Sequence, residues 1–221
     1  MRIVVSTGLK KCNLSFTTRD IILVPHIFSD RPKIYEELLA EVKDSGVNED
    51  KLWKSWHNDS HMIADDKQLR KDKSPVFNMV IDRIRDYFGM DIKATHFNWY
   101  RDCSEWKPFH HDAAAVKPDK AKTQNFTVGI SFGCERDIAF EENNSKRVVT
   151  FPLPDGMTYC FTKDININWK HGEQITQDLW ESLSPKVARD FYQQLGNHLY
   201  ALLAVWLGNA FKTLVRIVPN A

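Results

Sequence analysis

The sequence predicts an α+β protein with helices toward both ends and a β core in its second half. Three observations carry this. Apolar residues recur at intervals of three and four between residues 29 and 89, and the interval falls to two from about residue 93. The tail returns to the helical interval. With 221 residues and 43% hydrophobic side chains, the chain can bury a real core, which excludes wholesale disorder.

Taken in order, Asp20-Ile-Ile-Leu-Val-Pro25 predicts a short strand stopped by its proline. Ser29-Asp-Arg-Pro32 then opens a helix whose apolar stripe is Ile34, Leu38 and Val42, with Tyr35 and Leu39. Leu52 to Lys73 is polar and without period, and carries Trp53, Trp56 and His57. A second helix starts at Ser74-Pro75, shows Phe77, Val80, Ile81, Ile84 and Phe88 on one side, and stops at Gly89. Phe126, Val128, Ile130 and Phe132 alternate with small or polar residues, predicting a one-sided strand. Arg147 to Phe151 predicts another, with a turn over Pro152 to Gly156. Met157, Tyr159 and Phe161 alternate, and so do Ile165, Ile167 and Trp169. Short strands punctuated by turns predict an antiparallel sandwich or barrel. Ser184-Pro185 opens the last helix, with Val187, Phe191, Leu195, Leu199, Leu202 and Trp206 behind it.

Thirty Lys and Arg against 29 Asp and Glu leave a net charge of +1, which argues against a dedicated polyanion binder. Lys117, Lys120 and Lys122 still form a local basic loop. Cys12, Cys103, Cys134 and Cys160 lack CxxC spacing, so neither a disulfide scaffold nor a cysteine zinc site is indicated. The start has only a three-residue apolar run and no leader pattern. Leu199 to Phe211 is shorter than the ~20 apolar residues a spanning helix needs. These features predict an intracellular protein, cytoplasmic or nuclear, with no membrane span.

The segment Trp106-Lys-Pro-Phe-His-His-Asp112 carries the chemistry. On a strand, His110 and Asp112 point to one face and His111 to the other. Further along, His171 shares the parity of Ile165, Ile167 and Trp169, so it faces the interior. Two imidazoles and a carboxylate on one face form the triad that holds non-haem Fe(II) with three positions open, and the same set also suits Zn²⁺ or Mn²⁺. The plain alternative is a surface His-His-Asp that holds nothing, since one HxD arises easily among eight histidines.

The order His96-Phe-Asn-Trp-Tyr100, His110-His-Asp112, Trp169-Lys-His-Gly172 resembles the 2-oxoglutarate/Fe(II)-dependent dioxygenases, most of all their AlkB-like branch. The family pattern is N-x-Y, HxD, a distal histidine usually followed by glycine, then an R-x5-R pair. Asn98 and Tyr100, His110 and Asp112, and His171-Gly172 match the first three parts over about residues 90–172. The resemblance implies a double-stranded β-helix (jelly-roll) core and His110, Asp112 and His171 as metal ligands. It also implies Asn98 and Tyr100 hydrogen-bonding the cosubstrate. Fe(II), 2-oxoglutarate and O2 would then be required, and 2-oxoglutarate would leave as succinate and CO2 while a substrate C–H bond is oxidised. The pattern departs after His171, where no arginine precedes Arg189 and none follows it at the sixth position. Arg189 is therefore the candidate for the bidentate clamp on the far carboxylate.

On this reading residues 1–90 form a helical or lid region, 91–180 the jelly-roll core and 181–221 a divergent helical tail. The family implies substrates among alkylated nucleic-acid bases, which Trp53, Trp56 and His57 would stack upon. A protein side chain or a small molecule is the alternative substrate. Two rival readings keep the fold: a non-catalytic relative serving as a metal-binding or interaction module, with Leu199 to Trp206 as its partner surface, and a cupin-type metal enzyme that needs no 2-oxoglutarate.

Overall fold

The structure, a computed structural model, describes residues 1–6, 11, 12, 14, 17–44, 54–56, 61–65, 74–100, 105–117 and 124–174. All of these lie within one compact unit, Met1–Ile175. Its strands are β1 (Arg2–Val5), β2 (Asp20–Val24), β3 (Lys54–Trp56), β4 (His61–Asp65), β5 (His96–Trp99) and β6 (Lys107–His110). They continue with β7 (Phe126–Ile130), β8 (Arg136–Glu142), β9 (Val148–Leu153), β10 (Thr158–Thr162) and β11 (Trp169–Gln174). The helices are α1 (Ile34–Asp44), α2 (Pro75–Phe88), α3 (Ala113–Val116) and α4 (Lys163–Asn168). The fold is α+β: one four-stranded sheet in the order β1-β2-β10-β7, a second in the order β6-β11-β8-β9, and a smaller sheet β3-β4-β5. Every pairing is antiparallel except that of β1 with β2.

The two long helices form where the three-and-four spacing predicts them. Ile34, Leu38 and Val42 of α1 are buried, as are Phe77, Val80, Ile84 and Tyr87 of α2. Tyr87 takes the buried place expected of Phe88, and its hydroxyl pairs with Ser6 at 2.6 Å, so its polar tip is satisfied. Gly89 stops α2 in the left-handed conformation, which glycine adopts without a Cβ penalty. Ser74 sits at the N-cap but makes no side-chain capping bond. Glu41 of α1 caps instead, accepting from the amides of Val76 and Phe77, the latter at 3.0 Å. One carboxylate thus satisfies two orphan donors at a helix N-terminus and ties the helices together.

Both helices cover one face of the first sheet. Ile22, Val24 and Cys160 join Ile34, Leu38, Phe77, Val80, Ile84 and Tyr87 in one apolar core, with Phe126, Val128 and Ile130 packed against it. The one-sided pattern of β7 therefore faces helices. The opposite face of that sheet, carrying Ile21, Leu23, Tyr159 and Phe161 in register, meets the second sheet. Phe140 of β8 touches Phe161 across the gap, edge to face at 5.5 Å.

Two sequence expectations are corrected. Ile165, Ile167 and Trp169 do not form one strand: Lys163–Asn168 winds as a short helix before β11 begins. Ile165 and Asn166 are buried while Ile167 is 40% exposed, and Asn168 Nδ2 reaches back to the Asp164 carbonyl at 2.7 Å. A two-residue alternation over so few positions does not separate strand from helix, and here local hydrogen bonding decides. The region Leu52 to Lys73 is not wholly irregular either, because β3 and β4 lie within it. Pairing with β5, Ile63 opposite Asn98, orders a segment whose own sequence has no period. Trp53, His57, Lys120, Lys122, Cys103, Arg189 and the expected helix from Pro185 lie outside the described residues. No helix among the described residues is long and apolar enough to cross a membrane.

Candidate metal centre

His110 is the last residue of β6 and pairs directly with His171 of β11. Asp112 follows in extended conformation, φ −64° and ψ 156°, at the N-cap of α3. The His-x-Asp spacing therefore works as the parity argument expects, although the strand itself ends at His110. One ligand atom from each of His110, Asp112 and His171 falls within 4.8 Å of the other two. His110 Nε2 lies 4.0 Å, and His171 Nε2 3.6 Å, from Asp112 Oδ1. Two metal–ligand bonds of ~2.1 Å each can span at most ~4.2 Å, so both separations fit a single ion.

The atoms not aimed at this point are held elsewhere. His110 Nδ1 sits 2.9 Å from the Pro108 carbonyl, and Nε2 is the ring atom on the side of Asp112. Asp112 Oδ2 accepts from Gln124 Nε2 at 3.0 Å and Thr127 Oγ1 at 3.1 Å, leaving Oδ1 toward the histidines. His171 Nδ1 is buried without a hydrogen-bond partner among the described residues. Burial holds the His171 imidazole well below the ordinary histidine range, and His110 and then Lys107 push the same way. A neutral imidazole need lose no proton to bind a metal, so the donor set suits a divalent cation. Phe161, with its ring centre 4.9 Å from that of His171, walls the centre with apolar surface, as does Phe140 at 6.1 Å.

His111 turns away. Its Nδ1 lies 2.6 Å from the Asn166 carbonyl, and the Asn166 side chain accepts from the Asp112 amide at 2.9 Å. The short helix α4 thus fixes the loop that presents Asp112. Gln124, Thr127 and Asn166 were not foreseen from the sequence. Thr127 does carry a signal, since it lies on the polar side of an alternating strand. The sequence gives no sign of what lies against that side, and the structure places Asp112 there.

Gly172 follows His171 for a packing reason. A Cβ there would meet the Lys107 carbonyl oxygen at 2.5 Å and the Phe109 nitrogen at 3.1 Å. The close approach comes from an irregularity in β6: His171 pairs with His110 and Glu173 with Lys107, so Gly172 alone faces both Pro108 and Phe109. Pro108, which has no amide to give the ladder, sits in this bulge.

Of the residues that the resemblance assigns to the cosubstrate, Tyr100 lies near Glu173, two residues beyond His171. Burial pushes its hydroxyl far above the ordinary tyrosine range, and Glu173 adds to this. The Arg136 guanidinium lies 4.2 Å over its ring. Asn98 is placed on β5, and no hydrogen bond among the described residues joins it to the three ligands. Tyr159 of β10 is buried on the same side, with its hydroxyl also held protonated by burial and by the nearby charges of Glu173 and Asp112.

No protein-family model matches the chain. It is 22% identical over 180 residues to "Uncharacterized protein R406" of Acanthamoeba polyphaga mimivirus, an alignment covering 75% of this chain and 90% of the viral protein.

Proposed function

We propose that the protein is a 2-oxoglutarate- and Fe(II)-dependent oxygenase that hydroxylates or oxidatively demethylates its substrate. The observation that carries this reading is the convergence of His110 Nε2, His171 Nε2 and Asp112 Oδ1, with His171 neutral and Asp112 Oδ2 already engaged. Three protein ligands on one side are the arrangement that leaves open positions for a chelating acid and dioxygen. The strand order supports a jelly roll: from β6 to β11 the chain visits the second sheet, the first, the second twice, the first and the second again. β7 pairs only with β10 among the described residues, so its other edge has room for a closing strand.

Fe(II) with 2-oxoglutarate and O2 supplies the oxidising power to break a substrate C–H bond. The chain's share is to hold the metal through His110, Asp112 and His171, to hydrogen-bond the cosubstrate through Tyr100 and Asn98, and to keep water away with Phe140 and Phe161. Alkylated nucleic-acid bases are the substrate class this reading favours. One observation favours a second reading, a metal-binding module without turnover: no arginine lies between His171 and Arg189.

Incubating the protein with Fe(II), 2-oxoglutarate and air separates the two. Succinate formation that disappears in His171→Ala supports the oxygenase. Metal binding with no succinate, with or without alkylated oligonucleotide, leaves the module.

A further inference from the structure

Lys107 is three residues before His110, and strict strand parity would turn it to the opposite face. The bulge reverses this. Because Glu173 pairs with Lys107 while His171 pairs with His110, Lys107 comes to the face that carries both histidines and Glu173. Two features converge on that placement. The extra residue falls within Pro108 and Phe109, and Gly172 makes room for the Lys107 carbonyl. The lysine is partly buried, its charged neighbours are Glu173 and Asp112, and no ion pair of 4.0 Å or less engages it among the described residues. Arg136, the other cation here, is already spent on the Glu105 carbonyl and the Tyr100 ring.

We propose that Lys107 is the cation that receives the far carboxylate of a metal-chelating 2-oxo dicarboxylate. It takes the part that the resemblance gives to an arginine after the distal histidine. An ammonium is a point charge on a flexible stem, so it holds one carboxylate oxygen where a guanidinium would hold two. Tyr100 lies on the same side, its side chain hydrogen-bonded with that of Glu173. The inference rests on the reading of the centre as a 2-oxoglutarate site, and its test keeps the two apart.

The Mn(II)-loaded full chain is titrated calorimetrically with 2-oxoglutarate and with pyruvate, which chelates a metal in the same way but has no second carboxylate. The wild type binds 2-oxoglutarate at least about tenfold more tightly, the worth of a charge-assisted bond. Lys107→Met loses that preference and keeps its affinity for pyruvate and Mn(II). If Lys107→Met retains the preference, Lys107 is not the anchor, although the site still takes 2-oxoglutarate. If the wild type binds neither acid, the cosubstrate reading falls and the anchor with it. Lys107→Arg serves if the methionine variant does not fold. Its longer side chain shortens the space for the ligand and shifts preference toward oxaloacetate, one methylene shorter. An unchanged ranking of the two acids in Lys107→Arg overturns the proposal.

Discussion

The two faces of the sheet β1-β2-β10-β7 are built from the same strands but have opposite compositions. Toward the helices, Ile22, Val24, Val128 and Cys160 pack with the apolar side chains of α1 and α2. Toward the second sheet, Thr127 and Tyr159 share the interior with Asp112, His171, Lys107 and Glu173. Burying apolar surface stabilises by ~25 cal/mol per Å², whereas a buried polar group costs unless it finds a partner. The helix-covered face is thus what holds the fold, and the face between the sheets gives up stability to assemble a site. His171 Nδ1, buried without a hydrogen-bond partner among the described residues, is the clearest sign of that exchange.

The largest test of this contrast is Phe77→Ala. Removing a buried aromatic from the helix-covered core should destabilise by ~3–5 kcal/mol in denaturant unfolding. The folded variant should bind Mn(II) as the wild type does, because no ligand touches that core. A large loss of metal affinity at temperatures where the variant is folded would break the separation of the two faces.

A smaller effect of the opposite kind is expected from Thr127→Val. The shape is nearly kept, so unfolding should change little, while Asp112 loses one of two hydrogen-bond donors. Supports of this kind are worth ~10-fold or more in metal affinity, which a Mn(II) titration reads directly. An unchanged affinity would make Thr127 mere packing.

The smallest effect is electrostatic and lies away from both faces. Asp20 is fully buried, and Arg2 pairs with it through Nε at 2.8 Å and Nη2 at 2.6 Å. The Arg2 hydrogen bond, more than the Thr17 amide, holds the Asp20 carboxyl below its ordinary value. A lowered pKa in the folded state means the unfolded chain binds the proton first. The contribution is therefore present above the unfolded value of ~3.9 and is lost as pH falls through the folded one. Melting temperatures between pH 6 and pH 2.5 should fall less steeply in Asp20→Asn than in the wild type. Parallel curves would remove the pair from the account.

The same contrast explains what the sequence made legible. The apolar face announces itself: Ile34, Leu38 and Val42, Phe77, Val80 and Ile84, and Phe126, Val128 and Ile130 are periodic because burial on one side imposes a period. The candidate ligands were readable because HxD spacing and strand parity bring two side chains to one point. The rest was hidden for physical reasons. Thr127 and Gly129 look like a wet face because nothing local reveals that a second sheet covers them. Asn166 acts from a helix that its own alternation disguised as a strand. Lys107 reaches the site through a bulge, and one extra residue reverses every facing prediction upstream of it.

The central claim is that His110, Asp112 and His171 hold one divalent metal while His111 does not. Calorimetric titration of Mn(II) into the wild type, Asp112→Ala and His111→Ala tests it most directly. The account predicts one site in the wild type, affinity lowered at least ~10-fold in Asp112→Ala, and affinity kept in His111→Ala. Equal affinity of Asp112→Ala and the wild type, or loss of binding only in His111→Ala, would contradict it.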